Sequence, residues 1–152
     1  MTGRRRAPAA AGLLVSVLVL TACVGPAPTT SAYRVRASHS ASTAESALET
    51  ALLAVRTSQK GNLLGNYLEV LLSNAEDAVG SAQQQFDSIQ PPDAKQDDDL
   101  RSKLDQLLSQ ASDTVSQLRI AARRDDQAAM AKNAADIPGL AKKLDDFSKA
   151  TG

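Results

Sequence analysis

Leu64-Gly65-Asn66-Tyr67-Leu68-Glu69-Val70-Leu71-Leu72-Ser73-Asn74-Ala75 opens the longest apolar stripe in the chain. From it, Leu64, Leu68, Leu71, Ala75, Ala78, Ala82, Phe86 and Ile89 recur at steps of 4, 3, 4, 3, 4, 4 and 3. Such spacing returns to one side of a helix of about 3.6 residues per turn. Leu72 and Val79 widen the stripe beyond a two-stranded seam, as a helix inside a bundle requires. Gly65 and Gly80 interrupt it, and Gly80 reads as a point of close approach for a neighbouring helix. Pro91-Pro92 stops it, because the residue before a proline is pushed out of helical geometry.

The same period runs on either side. Upstream, Ser42-Thr43-Ala44-Glu45 fits a capping box with Ser42 as N-cap. Ala44, Leu48, Ala51, Leu52 and Val55 follow on one face, and Gly61 suits the left-handed residue that ends a helix. Downstream, Asp93 can cap a third helix whose apolar face is Leu100, Leu104, Leu107, Ala111, Val115, Leu118 and Ala122. Asp97, Asp98 and Asp99 lie in its first turns and Arg119, Arg123 and Arg124 near its end, the charge order that a helix dipole favours. Asp126 can cap a fourth helix with Met130, Ala134, Ile137, Ala141 and Leu144 inward. Pro138-Gly139 predicts a kink or short break there, or a new short helix capped by Asp136. Four amphipathic segments on short turns predict an all-α domain over residues 42–152, an antiparallel up-down four-helix bundle. The first helix reads as shorter than the second and third, so a three-helix core with a loosely docked first helix is the alternative.

Residues 1–22 have the parts of a signal peptide: basic Arg4-Arg5-Arg6, an apolar run from Ala9 to Leu20, and small residues at its exit. The run is too short for a membrane-spanning helix, which takes about 20 apolar residues. At the exit, Leu20-Thr21-Ala22-Cys23 resembles the lipobox of bacterial lipoproteins at all four positions. The resemblance implies that Cys23 receives a diacylglyceryl group, that the chain is cut before it, and that the mature protein hangs from the extracytoplasmic face of the cell membrane. Two acyl chains give stable anchoring where one does not. Residues 23–41, with Gly25, Pro26, Pro28, Thr29, Thr30 and Ser31, read as a flexible tether. The layout beyond it is similar to that of small helical lipoproteins of high-GC Gram-positive bacteria, on the Ala/Asp/Arg-rich composition, Tyr67-Leu68-Glu69-Val70 and Ile89-Gln90-Pro91-Pro92. That resemblance implies no activity.

Composition removes several classes of function. The whole chain balances 17 Lys and Arg against 17 Asp and Glu, but Arg4, Arg5 and Arg6 belong to the signal segment, so the mature part is mildly acidic. It carries no electrostatic footprint for nucleic acid. One cysteine makes no intrachain disulfide, so packing alone must hold the fold. The single histidine, His39, falls in the tether, and Glu-x-x-His is absent, which removes the di-metal bundle. A buried axial histidine for haem is missing, and Met130 is the mature chain's one methionine. Glu69 and Glu76 read as solvent-facing, and no base stands beside a hydroxyl or thiol nucleophile. The reading assigns no catalytic, metal or cofactor-binding residues. It expects a non-enzymatic protein-interaction module acting on an envelope partner, with a small-ligand or lipid binder using a crevice between helices as the alternative.

Overall fold

The computed structural model describes residues 29–92 and 95–152. Four helices follow one another: α1 (Thr30–Gln59), α2 (Gly65–Asp87), α3 (Lys95–Arg123) and α4 (Gln127–Thr151). Each packs on its neighbours in the order α1, α2, α3, α4 and back to α1, and α1 also reaches α3 across the core. The result is a four-helix bundle with neighbours antiparallel. Early α1 meets late α4, where Ser38 Oγ donates to the Ser148 carbonyl at 2.9 Å.

The largest departure from the sequence reading is the start of α1. The helix begins at Thr30, not Ser42, and residues 29–41 are folded rather than a spacer. Thr29 is the N-cap, its hydroxyl accepting from the Ala32 amide at 3.1 Å. Tyr33, Ala37, Ala41, Ala44, Leu48, Ala51 and Val55 are all fully buried, so the apolar face runs unbroken through the stretch expected to be solvated. Ser42 sits exposed in mid-helix. Hydroxyl residues disguised this. Thr43, Thr50 and Thr57 satisfy themselves on their own helix, donating to the carbonyls of His39, Ser46 and Leu53 at 2.9, 2.9 and 2.7 Å. At 30 residues α1 is the longest helix among the described residues, and the loosely docked alternative is overturned.

Both turns at the far end close by the same device. The Asn62 amide donates to the Thr57 carbonyl at 3.1 Å and the Gly61 amide to Ser58 at 2.8 Å, with Gly61 at φ 73°, as the sequence predicts for Gly61. After α3, the Asp126 amide reaches the Ala121 carbonyl at 2.9 Å and the Asp125 amide reaches Ala122 at 3.0 Å. There the left-handed position falls to Asp125, at φ 51°. Asp126 then caps α4 as expected, accepting from the Ala129 amide at 2.9 Å. The Asp93 cap lies outside the described residues.

Three smaller expectations are corrected. The break or new helix expected at Pro138 is absent: α4 runs through the proline as one element, and Asp136 starts no new helix. The proline faces solvent while Ala134, Ile137, Leu140, Ala141 and Leu144 hold the helix on the core, so its ring meets no neighbouring helix. A Cβ built at Gly80 meets nothing within 4 Å, so no helix presses on it. Leu64, the first residue of the stripe, is the N-cap of α2 and exposed, because α2 turns inward only from Leu68 onward.

Candidate functional site

The two ends of the bundle carry opposite anomalies. One gathers the start of α1, the end of α2, the start of α3 and the end of α4, and it buries polar groups. Of the three carboxylates read together at this helix start, Asp98 and Asp99 are exposed, but Asp97 is fully buried. Thr30 Oγ1 donates to Asp97 Oδ2 at 3.1 Å, and Arg34 Nε lies 3.7 Å from Asp97 Oδ1. One turn away, the buried Tyr33 ring packs on Phe86 with centroids 5.6 Å apart. Arg101 completes the cluster. Its guanidinium lies over Phe86 at 5.8 Å, donates to the Ile89 carbonyl at 2.9 Å, and pairs with Asp87 and Asp105 at 3.8 and 3.7 Å. A cation on the last carbonyls of α2 is favoured by that helix's dipole.

Electrostatics here follow burial. The Tyr33 phenol is pushed above its ordinary 10.0, first by desolvation, with the Arg101 guanidinium opposing. Asp105 is raised above 3.8, again mainly by desolvation and against Arg101. Thr30, Tyr33, Arg34, Asp97 and Arg101 therefore form a clasp that ties the first turns of α1 to α2 and α3. No group of three or more His, Cys, Asp or Glu converges among the described residues. With Asp105, the clasp brings together two acids, two arginines and the hydroxyls of Thr30 and Tyr33.

At the opposite end, apolar groups are exposed. Leu64, Tyr67 and Val70 are 68%, 58% and 55% exposed. At successive steps of three they form one row on the outer side of the first turns of α2. Leu53, near the end of α1, is exposed as well. Beside Val70 a shallow groove of about 470 Å³ is lined by Asn66, Glu69, Ser73, Arg119 and Arg123. Glu76, expected to face solvent, is instead half-buried: it takes the Arg119 guanidinium in a two-pronged pair, raising the arginine further. Arg123 makes no ion pair among the described residues. Exposed apolar side chains clustered in this way make the row a candidate interaction surface.

A third feature is a groove of about 450 Å³ between α1 and α2, lined by His39, Ser42, Thr43, Ser46, Thr50 and Asn74 over Ala47, Ala75 and Ala78. His39, expected in the tether, stands exposed on α1 here. Two of the hydroxyls, Thr43 and Thr50, are already committed to backbone carbonyls. Of the residues singled out from the sequence, Leu20, Thr21, Ala22 and Cys23 lie outside the described residues. The apolar row was missed because Leu64 and Tyr67 fit the helical period; only a mismatch in face, Leu64–Tyr67–Val70 against Leu68–Leu72–Ala75, signals it. No helix among the described residues is long and apolar enough to cross a membrane. Comparison of the chain with family models, with curated proteins and with solved structures finds no match.

Proposed function

We propose that this chain is a lipid-anchored, extracytoplasmic helical bundle that binds another envelope protein without catalysing a reaction. The lipobox-like Leu20-Thr21-Ala22-Cys23 supports the anchor, with diacylglyceryl-Cys23 as the link to the membrane. The observation that carries the interaction role is the exposed Leu64–Tyr67–Val70 row, displayed at the end of the bundle away from the start of α1. A buried aromatic anchor flanked by smaller apolar residues is the usual energetic centre of a protein interface.

The test is crosslinking in intact membranes with wild type and with a Tyr67→Glu, Val70→Glu pair. The expected result is a partner captured by wild type and lost by the double variant at unchanged thermal stability. Equal capture by both overturns the reading. Mass spectrometry of the mature N-terminus tests the anchor separately: a diacylglyceryl mass on Cys23 is expected, and an unmodified or uncleaved terminus rejects it. The second reading, a ligand held in the crevice between α1 and α2, has the hydroxyl-lined groove in its favour. It predicts a copurifying ligand in native mass spectra of the mature domain, and a clean apo mass counts against it.

A further inference from the structure

The sequence reading left 19 residues, 23–41, to hold the fold off the bilayer, but α1 begins at Thr30, seven residues after Cys23. Seven residues span at most about 25 Å when fully extended. The first turn of α1 is also fastened to other helices. Thr30 and Arg34 both hold the buried Asp97, and Tyr33 is enclosed against Phe86. We infer that the Thr30–Tyr33–Arg34–Asp97 clasp sets the length of chain between anchor and fold, and so seats this end of the bundle against the lipid headgroups. This rests on the lipid-anchored reading of Cys23.

The physical reason is the alternative that the clasp suppresses. Helix ends fray, because their terminal groups lack intrahelical partners. If α1 unwound as far as Ser42, a further 12 residues would join the tether and its reach would grow to about 65 Å. The hydroxyl-rich stretch from Ser31 to Ser42 invites such unwinding, since serine favours non-helical backbone. Asp97 and Phe86 oppose it from other helices. With the clasp closed, the surface facing the bilayer is the start of α1, the Gln90-Pro91-Pro92 connection and the end of α4. The apolar row then lies at the other end of α1, about 45 Å further along a 30-residue helix. It is out of reach of the headgroups when the bundle stands on its anchored end.

The experiment uses the mature chain coupled through its one cysteine, Cys23, to a maleimide lipid in phosphatidylethanolamine–phosphatidylglycerol vesicles, so it reads the clasp even if natural lipidation fails. A donor fluorophore on a bio-orthogonal amino acid is placed at position 95 or at position 62, with acceptor on the lipid headgroups. The expected result is energy transfer several-fold stronger from position 95 than from 62. Equal transfer from both overturns the seating. An Asp97→Ala variant is expected to lose transfer from position 95 and to gain tryptic cleavage at Arg34 and Arg36. A Val115→Ala variant, which weakens the core elsewhere, is expected to change neither. If the clasp variant keeps wild-type transfer and cleavage, or if Val115→Ala matches it, the clasp does not set the tether. Mass spectrometry of the natural Cys23 decides the anchored reading independently.

Discussion

Tyr33 and Tyr67 are the chain's two tyrosines, and they stand at opposite ends of one bundle in opposite environments. Tyr33 is completely enclosed, stacked on Phe86 among Asp97, Arg101 and Asp105, while Tyr67 is more than half exposed between Leu64 and Val70. At the first end polar groups are drawn inside; at the second, apolar groups are left outside. Stability and interaction are thereby separated along the helix axis. Substitutions within the enclosed cluster are expected to cost stability, and substitutions within the exposed row to leave the fold intact.

The largest test of that separation is the pair of alanine substitutions. Tyr33→Ala removes a fully buried ring and is expected to cost about 3–5 kcal/mol, whereas Tyr67→Ala should stay within about 0.5 kcal/mol. Chemical denaturation of both variants measures the difference, and equal losses would break the comparison. Next comes Asp97→Ala, which strips Thr30 of its buried acceptor and Arg34 of its ion-pair partner. A loss of about 1–3 kcal/mol is expected by the same measurement. Arg34 is partly exposed and can turn to water, which keeps the cost below that of a wholly buried pair.

Asp125→Gly sharpens the other end. Asp125 holds a left-handed backbone at φ 51°, where Gly61 holds the equivalent place after α1 without side-chain strain. Replacement is expected to raise stability by up to about 1 kcal/mol, seen as a higher melting temperature. The loss of the Gln127 Nε2 bond to Asp125 Oδ1, an exposed contact at 3.0 Å, subtracts little from that gain. The smallest effect is a dependence on pH. Burial raises Asp105 above its ordinary 3.8, so the folded state binds its proton more tightly than the unfolded chain does. Its contribution to stability is therefore present below 3.8 and lost as pH rises through the higher folded value. Asp105→Asn should gain on wild type above that window and show a smaller advantage below it, read from denaturation midpoints across pH.

Much of the fold was legible because it rests on periodicity. The inward faces of α2, α3 and α4 follow from three- and four-residue steps, and Gly61 and Asp126 announce their turns by residue type. The start of α1 was not legible for a physical reason. Thr29, Thr30, Ser31, Ser38 and Ser40 carry the local preferences of a loop, and only the packing of Tyr33, Ala37 and Ala41 against other helices outweighs them. Asp97 illustrates the same limit. Beside Asp98 and Asp99 it is one carboxylate of three, and nothing local distinguishes the one that α1 covers.

What the sequence by itself determined is the set of helical faces, the all-α class and the lipobox-like stretch at Cys23, all of them properties of neighbours along the chain. Tertiary structure alone decided where α1 begins, which acid is buried, and which apolar residues remain outside. Each of these depends on what a distant helix presents at the same point: Phe86 to Tyr33, Asp97 to Thr30, and, among the described residues, no helix that covers Leu64, Tyr67 and Val70. Burial is a relation between segments, and a periodic stripe records only that a face is apolar, not how far along its length a partner reaches.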